Sequence, residues 1–361
     1  MRVLILSTPF DARARLDGSR CAIADLVAGL VAEQVAEPTV LVTEGGEAPP
    51  GARAEHVGRA PLEALLGTLL AQVDVVHAWF APRVVTATAL RALRVARRLP
   101  FRSTSGGLPI VQTVASVPRS FAFASAALAG DVVVATSDAT AIALATHGVD
   151  ARKMVRVPSP FAPRVPDGTV AAPRDLLLYA GDWEFDDGID RALHALSRLA
   201  PPRGVFPHLA IAARGKTDRA REVEARVRRK VEGGPLRDRV TILGEVPSLL
   251  PWIAASRAVL LPASTTYAKL DHPRALLEAI ALGVPIIVGP APSLTELCDD
   301  PRVGEVARDE AELRDAIEGA LSRPRVPTDA ISKVLSPRRP DVVARRYGEL
   351  YARATGARSR V

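Results

Sequence analysis

The feature that most constrains this chain is the alternation of short apolar runs with longer helical patterns along nearly its whole length. The first apolar run covers residues 3–7, and a helical pattern over 22–35 follows it. Similar runs recur at 132–135 in the first half and at 258–262 in the second. Continuous apolar strands separated by helices are typical of parallel sheets covered on both faces, because parallel strands need crossover connections. The pattern therefore predicts an α/β fold.

A proline-dense stretch divides this series of strands and helices into two halves. Residues 158–168 contain several prolines and end in Gly168, a composition typical of an interdomain connector. A chain of 361 residues also exceeds what one hydrophobic core usually serves. We therefore predict two Rossmann-like domains, over residues 1–165 and 166–335, whose parallel sheets face a central cleft. A C-terminal segment, 336–361, is predicted to pack its helix back on the first domain.

The apolar pattern also predicts individual helices in both halves. Residues 62–72, 84–98 and 122–128 are predicted to be helical in the first half. In the second half a charged helix is predicted over residues 218–232. The stretch near 323–340 is interpreted only as a Pro-rich connection between two helices.

Charge and cysteine content narrow the class of protein. The net charge of +7 favours anionic partners such as nucleotides or sugar phosphates, but the excess of Arg and Ala is also what a GC-rich genome produces. No nucleic-acid partner is predicted. Cys21 and Cys298 form no CxxC or Cys/His cluster, so neither a disulfide nor a metal site is expected. Because no apolar run approaches the roughly 20 residues of a membrane span, and no signal peptide is visible, we predict a cytoplasmic protein.

Two neighbouring stretches of the second half carry a specific motif. Residues 258–264 read AVLLPAS, and residues 274–288 read RALLEAIALGVPIIV. Together they resemble the motif of glycosyltransferase family 4, the glycosyl transferases group 1, in which a strand ending in Pro-Ser precedes a Leu-Leu-Glu-Ala helix and a Gly-x-Pro strand. Shorter pieces that are similar to the family occur in the same order along nearly the whole chain. The resemblance implies the type B fold of two Rossmann-like domains and a nucleotide-sugar donor.

The resemblance implies a donor site in the second half. Glu278 would bind the ribose hydroxyls of the donor, since a carboxylate accepts two hydrogen bonds from a vicinal diol; an ordinary solvated helix residue is the alternative. The N-terminus of its helix, with Arg274, would face the donor diphosphate. The family's other acidic residue, eight positions earlier, is Leu270 here, so Asp271 beside it is expected to act as a catalytic group on the donor sugar. A simple N-cap of the helix is the alternative role for Asp271.

The loop after the strand predicted at 176–181 departs from the family's pattern. Where the family places an Arg and a Lys that clamp the diphosphate, this chain has four acids within residues 182–187. Carboxylates so close to a diphosphate would repel it. Arg214 and Lys216, just past the next strand, are the expected substitutes, because ligands of open α/β sheets bind beyond the carboxyl ends of the strands. A solvated loop is the alternative for both residues.

The first half also departs from the family at its expected site. The histidine that the family places in this half is missing, which leaves Ser116 and Arg119 as polar groups. Ser116 is the candidate catalytic group there, although a hydroxyl substitutes poorly for an imidazole as an acid or base. Gly18, near the start of a helix, is expected to let a phosphate or sugar of the donor approach the backbone. A plain helix entry capped by Asp17 or Ser19 is the alternative.

These features predict a retaining glycosyltransferase of the hexosyl type. It would move a sugar from a nucleoside diphosphate donor, a substrate and not a cofactor, to a hydroxyl of a glycan, lipid or small-molecule acceptor. The missing cations and histidine leave a second hypothesis, a catalytically degenerate relative that acts as a binding or partner subunit in glycan assembly. A sugar-nucleotide epimerase has no motif of its own here. The chain also lacks the GxxxxGK[ST] and GxSxG motifs of P-loop phosphotransferases and serine hydrolases.

One predicted helix suggests a membrane surface as a partner. Arg91, Arg94 and Arg98 recur at i, i+3 and i+7 and therefore share a face of the helix predicted over 84–98. Such a face suits anionic lipid headgroups, so peripheral association with the inner face of the membrane and a lipid-linked acceptor form a hypothesis. A solvated helix face is the alternative.

Overall fold

A computed structural model describes residues 1–58, 73–96, 108–118, 125–199 and 206–356. These residues form two compact units, and each unit contains one parallel sheet. The predicted α/β class with two parallel sheets is therefore confirmed. The units consist of the following segments: Met1–Ala162, Ala268–Asp271 and the chain from Ser336 onward in the first, and Pro163–Tyr267 and His272–Leu335 in the second.

The sheet of the first unit is parallel throughout its described strands. These strands are Arg2–Phe10 (β1), Glu37–Val42 (β2), Arg53–His56 (β3), Val75–Phe80 (β4), Ile110–Val114 (β5), Val132–Ala135 (β6) and Met154–Arg156 (β7). Their spatial order is β3-β2-β1-β4-β5-β6-β7. In the middle of the sheet Leu4 pairs with Thr39 on one side and Val76 on the other. The polar strand β3 lies at an edge, where burial does not demand apolar residues, and this is why the apolar pattern missed it.

The sheet of the second unit is also parallel. Its described strands are Leu176–Gly181 (β8), His208–Ala213 (β9), Val240–Ile242 (β10), Ala258–Leu261 (β11), Ile286–Val288 (β12) and Gly304–Val306 (β13). Their order is β10-β9-β8-β11-β12-β13, so β8 lies between β9 and β11. Leu178 in β8 pairs with Ala210 in β9 and with Val259 in β11. Because these strands are parallel, the loops that follow them leave the same edge of the sheet.

The described helices occupy the connections between strands and the C-terminal part of the chain. They are Gly18–Ala32 (α1), Val84–Ala96 (α2), Asp138–Thr146 (α3), Gly188–Arg198 (α4), Asp218–Glu232 (α5), Leu250–Ala255 (α6), Arg274–Ala281 (α7), Pro292–Thr295 (α8), Glu310–Ser322 (α9), Thr328–Leu335 (α10) and Pro340–Thr355 (α11). Local sequence explains several helix starts. Asp17, Ser137 and Thr217 each accept a hydrogen bond from a backbone N–H in the first turn of α1, α3 and α5.

Two predictions about helices are wrong. Residues 125–127 form a turn and not the end of a helix, because Gln112 accepts hydrogen bonds from the backbone N–H groups of Ala129 at 2.8 Å and Gly130 at 3.2 Å. The Pro-rich stretch near 323–340 contains the helix α10. The prolines of this stretch lie outside α10 and therefore do not interrupt its backbone hydrogen bonds. The helix predicted over 62–72 lies outside the described residues.

The C-terminal helix α11 belongs to the first unit and packs against α1. Gly29 of α1 permits this close packing, because a Cβ atom there would lie 2.2 Å from the carbonyl oxygen of Pro340. On α11 Val343, Tyr347 and Tyr351 are completely buried. Their burial makes α11 part of the hydrophobic core that contains residues of β1 and α1.

A buried polar network joins α11 to the sheet. His77 Nδ1 lies 2.8 Å from the hydroxyl of Tyr351, and His77 Nε2 lies 2.8 Å from Thr113 Oγ1. Thr113 Oγ1 lies 2.8 Å from the hydroxyl of Tyr347. Burial lowers the pKa of His77 to about 3, so the imidazole is neutral at physiological pH. These hydrogen bonds satisfy polar groups that would otherwise destabilise the core.

Candidate functional site

Glu278 lies on α7, the helix that follows β11 in the second unit. The helix begins at Arg274 after Pro273, and its inner face buries Leu277 and Ile280. Among these apolar neighbours Glu278 is only 5% exposed. A carboxylate buried to this degree must be paired or hydrogen-bonded to remain ionised. The interpretation of Glu278 as an ordinary solvated helix residue is therefore wrong.

Two guanidinium groups converge on one oxygen of this carboxylate. Arg164 Nη2 donates to Glu278 Oε1 at 2.5 Å, and Arg274 Nε donates to the same oxygen at 3.1 Å. The Arg274 side chain is 9% exposed, whereas that of Arg164 is 45% exposed. Within the described residues Glu278 Oε2 accepts no hydrogen bond. One oxygen is thus held by cations while the other keeps its acceptor capacity.

Sequence analysis missed Arg164 as a partner of Glu278. The residue lies in the proline-dense connector, which we interpreted only as a linker. No periodic pattern marks it, because its position next to α7 is set by the path of the connector and not by a helix or strand. Its charge alone was the available signal, and 47 Lys and Arg residues share that signal.

Asp271 is grouped with the first unit and has no exposed surface. Its Oδ2 accepts hydrogen bonds from Thr136 Oγ1 at 2.8 Å and from Ser137 Oγ at 2.7 Å. Ser137 in turn caps α3 by accepting from the backbone N–H of Thr140 at 3.0 Å. Pro273 is the N-cap of α7 and no side chain caps that helix. The alternative role of Asp271 as a cap of this helix is therefore wrong.

The acidic loop after β8 is tied to the loop after β9. Asp182 Oδ2 lies 3.3 Å from Lys216 Nζ, and Glu184 Oε2 accepts from Thr217 Oγ1 at 2.5 Å. Thr217 also caps α5, so the same threonine joins the acidic loop to the start of a helix. These two acids therefore have structural partners.

The other two acids of the loop hold its second half. Asp186 Oδ1 accepts from the backbone N–H of Gly188 at 2.7 Å. Asp187 Oδ1 accepts from both the backbone N–H and the hydroxyl of Ser264, each at 2.9 Å. Ser264 lies in the loop after β11, so the acidic segment connects the ends of neighbouring parallel strands. The acids that replace the family's cations are used to fix these loops.

The predicted substitute cations lie at the carboxyl end of β9. Arg214 is half-buried there, and its side chain makes no ion pair within the described residues. The Lys216 side chain is 41% exposed, and Asp182 already neutralises its charge. Of the two residues, Arg214 thus has the charge that is more available to an anionic ligand.

In the first unit, Gly18 is the first residue of α1 and Ser116 follows the end of β5. Asp17 caps α1 by accepting from the backbone N–H of Arg20 at 3.0 Å. A plain helix entry capped by Asp17 is therefore present, and Ser19 does not serve as the cap. Ser116 is half-buried. Arg119 lies outside the described residues.

The arginine face of α2 is engaged within the first unit. Arg91 Nη2 donates to the carbonyl oxygens of Ala126 at 3.0 Å and Leu128 at 2.9 Å. Arg94 forms an ion pair with Asp131 at 2.8 Å. These contacts leave both guanidiniums less available to lipid headgroups, and Arg98 lies outside the described residues.

The described residues contain no group of three or more His, Cys, Asp or Glu side chains placed to hold a metal ion. Among their helices, none combines the length and apolar character needed to cross a bilayer. Within the described residues neither Cys21 nor Cys298 forms a disulfide.

The two parallel sheets match the type B architecture of solved glycosyltransferase structures. Solved structures with this fold include HepE of Anabaena in complex with UDP-glucose (14% identity over 98% of this chain and 100% of that one, TM-score 0.73). The sucrose-phosphate synthase of Thermosynechococcus elongatus is similar (17% identity, 99% and 100% covered, TM-score 0.76). WaaG, a glycosyltransferase involved in lipopolysaccharide biosynthesis, also matches (15% identity, 100% of both chains, TM-score 0.62).

Sequence comparison finds a family match in the second half of the chain. The family model described as glycosyl transferases group 1 matches residues 174–323. No curated protein sequence matches the chain. The resemblance of this part of the chain to the glycosyl transferases group 1 is therefore confirmed.

Proposed function

We propose that this protein is a retaining hexosyltransferase that uses a nucleoside diphosphate sugar as its donor. The acceptor is a hydroxyl of a glycan, a lipid or a small molecule. The observation that carries the proposal is the set of Glu278, Arg164 and Arg274. It combines a carboxylate oxygen that accepts no hydrogen bond within the described residues with two guanidinium groups, one of them at the start of α7. A solved structure with the same fold contains UDP-glucose, which supports a nucleotide-sugar donor.

Each member of this set has a separate role in the proposed reaction. Glu278 Oε2 accepts hydrogen bonds from the ribose hydroxyls of the donor. Arg274, which is nearly buried, holds the carboxylate in its orientation by donating to Oε1. Arg164 is half-exposed and moves from Glu278 toward the diphosphate, whose charge grows as the bond to the sugar breaks. The positive N-terminal end of α7 adds to this stabilisation.

The remaining predicted site residues have supporting roles in the proposal. Arg214 supplies further positive charge beyond β9, with Lys216 beside it. Gly18, at the start of α1, lets a phosphate or sugar of the donor approach the backbone, and Ser116, after β5, is the catalytic polar group of the first unit. Asp271 contacts the donor sugar only after it becomes exposed, since its carboxylate now bonds Thr136 and Ser137.

The proposed reaction uses the nucleotide sugar as a substrate and no additional cofactor. We place the enzyme in the cytoplasm, and a lipid-linked acceptor at the inner membrane surface stays a prediction. Recovery of the protein with liposomes tests this placement. Equal recovery with neutral and with acidic liposomes would remove the membrane partner.

A second candidate function is a degenerate family member that acts as a partner subunit in glycan assembly. The acidic loop favours it, because Asp182, Glu184 and their neighbours occupy the place of the family's diphosphate clamp and are fixed by local contacts. Such a protein would keep the fold and lose the donor pocket.

Ligand-induced stabilisation separates the two candidates. Thermal unfolding is measured with UDP, GDP, ADP and dTDP and with their glucose conjugates. A raised Tm with one nucleotide family supports a working donor pocket, because a ligand that binds only the folded state stabilises it. An unchanged Tm across the panel supports the degenerate subunit. Retention is then tested by the NMR coupling at the anomeric carbon of the product.

A further inference from the structure

The loop between β11 and α7 is divided between the two units, although β11 and α7 both belong to the second. Residues 262–267 and 272–273 of this loop are part of the second unit, whereas Ala268–Asp271 are part of the first. We call these four residues the inserted segment. The inserted segment is therefore packed in one unit while the chain on both sides of it belongs to the other.

Both ends of the inserted segment are fixed by buried contacts in the second unit. On the N-terminal side Thr266 Oγ1 lies 3.1 Å from Ser293 Oγ, and both side chains are buried. On the C-terminal side His272 is 1% exposed, and its Nε2 lies 3.4 Å from Glu296 Oε2. Any movement of the inserted segment is therefore confined to the few residues between these contacts.

The inserted segment is docked in the first unit by one apolar and one polar side chain. Leu270 belongs to the hydrophobic core cluster of the first unit and is 9% exposed. Asp271 accepts hydrogen bonds from Thr136 and Ser137 and has no exposed surface. A sugar hydroxyl cannot reach the Asp271 carboxylate while the segment is in this position.

The backbone at the start of the inserted segment is strained. Ala268 has a φ of +60°, in the left-handed region that residues with a Cβ atom rarely adopt. Its side chain is exposed, so no packing of the methyl group compensates for the strain. The strain therefore offsets part of the free energy that Leu270 and Asp271 contribute to docking. Such strain is typical of segments that change position during function.

We propose that docking of the inserted segment is autoinhibitory, because it withholds Asp271 from the donor sugar until the segment is released. The inference rests on the proposed function, in which Asp271 contacts that sugar. The carboxylate accepts hydrogen bonds either from Thr136 and Ser137 or from sugar hydroxyls, and its complete burial makes the two states mutually exclusive. The apparent affinity for a nucleotide sugar is then proportional to the fraction of molecules in which the segment is released.

The proposed inhibition acts on the sugar of the donor and not on its nucleotide. Glu278, the proposed ribose ligand, has its partners Arg164 and Arg274 in the second unit and does not depend on the position of Asp271. Docking should therefore leave the affinity for a nucleoside diphosphate unchanged. It should alter only the additional affinity that the sugar provides, so the ratio of the two affinities measures the inhibition.

Substitutions of Ala268 change the stability of docking in both directions. Ala268→Gly removes the strain and favours docking, whereas Ala268→Val increases the strain and favours release, because a β-branched residue tolerates a positive φ poorly. Among the described residues other than glycine, Gln34 also has a positive φ, of 55°, and it lies in the turn after α1. Gln34→Gly and Gln34→Val are therefore matched controls. Circular dichroism and Tm show whether the four variants are folded.

Isothermal titration calorimetry on the full chain compares the nucleoside diphosphate selected by the Tm screen with its glucose conjugate. Affinity for the conjugate should fall about threefold in Ala268→Gly and rise about threefold in Ala268→Val. Affinity for the diphosphate should stay constant, and the Gln34 variants should bind both ligands as the unmodified protein does. Equal changes for the diphosphate and the conjugate, or an unchanged conjugate affinity in both Ala268 variants, would overturn the proposal.

Limited proteolysis tests the docking without any ligand, so it stays decisive if no diphosphate binds and the proposed function fails. Lys269 lies within the inserted segment, and endoproteinase Lys-C cleaves after lysine. Thr136→Val removes one hydroxyl that donates to Asp271, so cleavage after Lys269 should become at least about threefold faster. Cleavage after the exposed Lys153 is the internal reference.

The matched control for this proteolysis is Thr146→Val. Thr146 Oγ1 donates to the carbonyl oxygen of Ile142 within α3, at 2.9 Å, and not to the inserted segment. Cleavage after Lys269 should therefore be unchanged in this variant. Equal cleavage rates in folded Thr136→Val and Thr146→Val would show that the hydroxyl of Thr136 does not hold the segment and would overturn the proposal.

Discussion

Two buried carboxylates, Asp271 and Glu278, are close in sequence but belong to different units and have opposite surroundings. Asp271 is held by the neutral hydroxyls of Thr136 and Ser137 and has no exposed surface. Glu278 is held by two cations, and one of these, Arg164, is half-exposed. Hydroxyl partners fix a carboxylate as part of the structure, whereas an exposed guanidinium can exchange one anionic partner for another. The difference indicates that Glu278 is open to a ligand in this state, whereas Asp271 must leave its hydroxyl partners before it can contact the donor sugar.

The largest expected effect is on nucleotide affinity in Glu278→Ala. Loss of two charge-assisted hydrogen bonds to ribose, each about 1.5–3 kcal/mol, should weaken binding of the nucleotide found in the Tm screen by more than about 100-fold. Isothermal titration calorimetry measures this change. Glu278→Gln, which keeps the shape and one acceptor, should lose less. Unchanged affinity in folded Glu278→Ala would remove Glu278 from the donor site.

The matching change in the first unit is Asp271→Ala, and its main effect should be on stability. Two buried hydroxyls lose their acceptor, so the free energy of unfolding should fall by about 2 kcal/mol, measured by urea denaturation. Asp271→Asn, which keeps one acceptor oxygen, should recover part of this loss. If Asp271→Asn instead keeps full stability but loses most of kcat, the hydroxyl contacts do not fix the carboxylate and the comparison with Glu278 fails.

Replacement of the exposed cation in Arg164→Ala should weaken nucleotide binding by about tenfold, or about 1.4 kcal/mol. The reason is that the diphosphate loses one cation while Arg274 still orients Glu278. The nucleotide affinity of Arg164→Lys should lie between that of the unmodified protein and that of Arg164→Ala, because lysine keeps the charge without the planar guanidinium. Tighter binding in Arg164→Ala would mean that Arg164 blocks Glu278 and does not assist the donor.

The smallest effect is expected for Lys216→Ala. Lys216 is already paired with Asp182 and is 41% exposed, so nucleotide affinity should change by less than about threefold. Lys230→Ala, which removes the same charge from α5, is the control. A loss of more than about tenfold in Lys216→Ala alone would restore Lys216 as a main diphosphate ligand.

The sequence predicted the parts of the molecule that depend on local pattern. The apolar run at 258–262 and the helix at 218–232 were predictable because strands and helices impose their own periods on the chain. The motif around Glu278 identified the family for the same reason, since it lies within one strand–helix unit. Strand β3, whose residues are mostly polar and exposed, gave no such signal.

Contacts between residues that are distant along the chain could not be predicted from local sequence patterns. The contact of Arg164 with Glu278 spans 114 positions, and that of Thr136 with Asp271 spans 135. Neither pair is related by a helical or strand period, so only the packing of elements decides that they meet. The acids of the loop after β8 show the same limit, because their sequence suggested repulsion of a ligand while the fold gave each of them a structural partner.

The sequence by itself thus determined the two parallel sheets, most helices and the resemblance of the second half to the glycosyl transferases group 1, since these follow from apolar periodicity and a contiguous motif. Only the tertiary structure decided which carboxylate is closed off and which is open, because burial and charge pairing depend on groups brought together from distant positions.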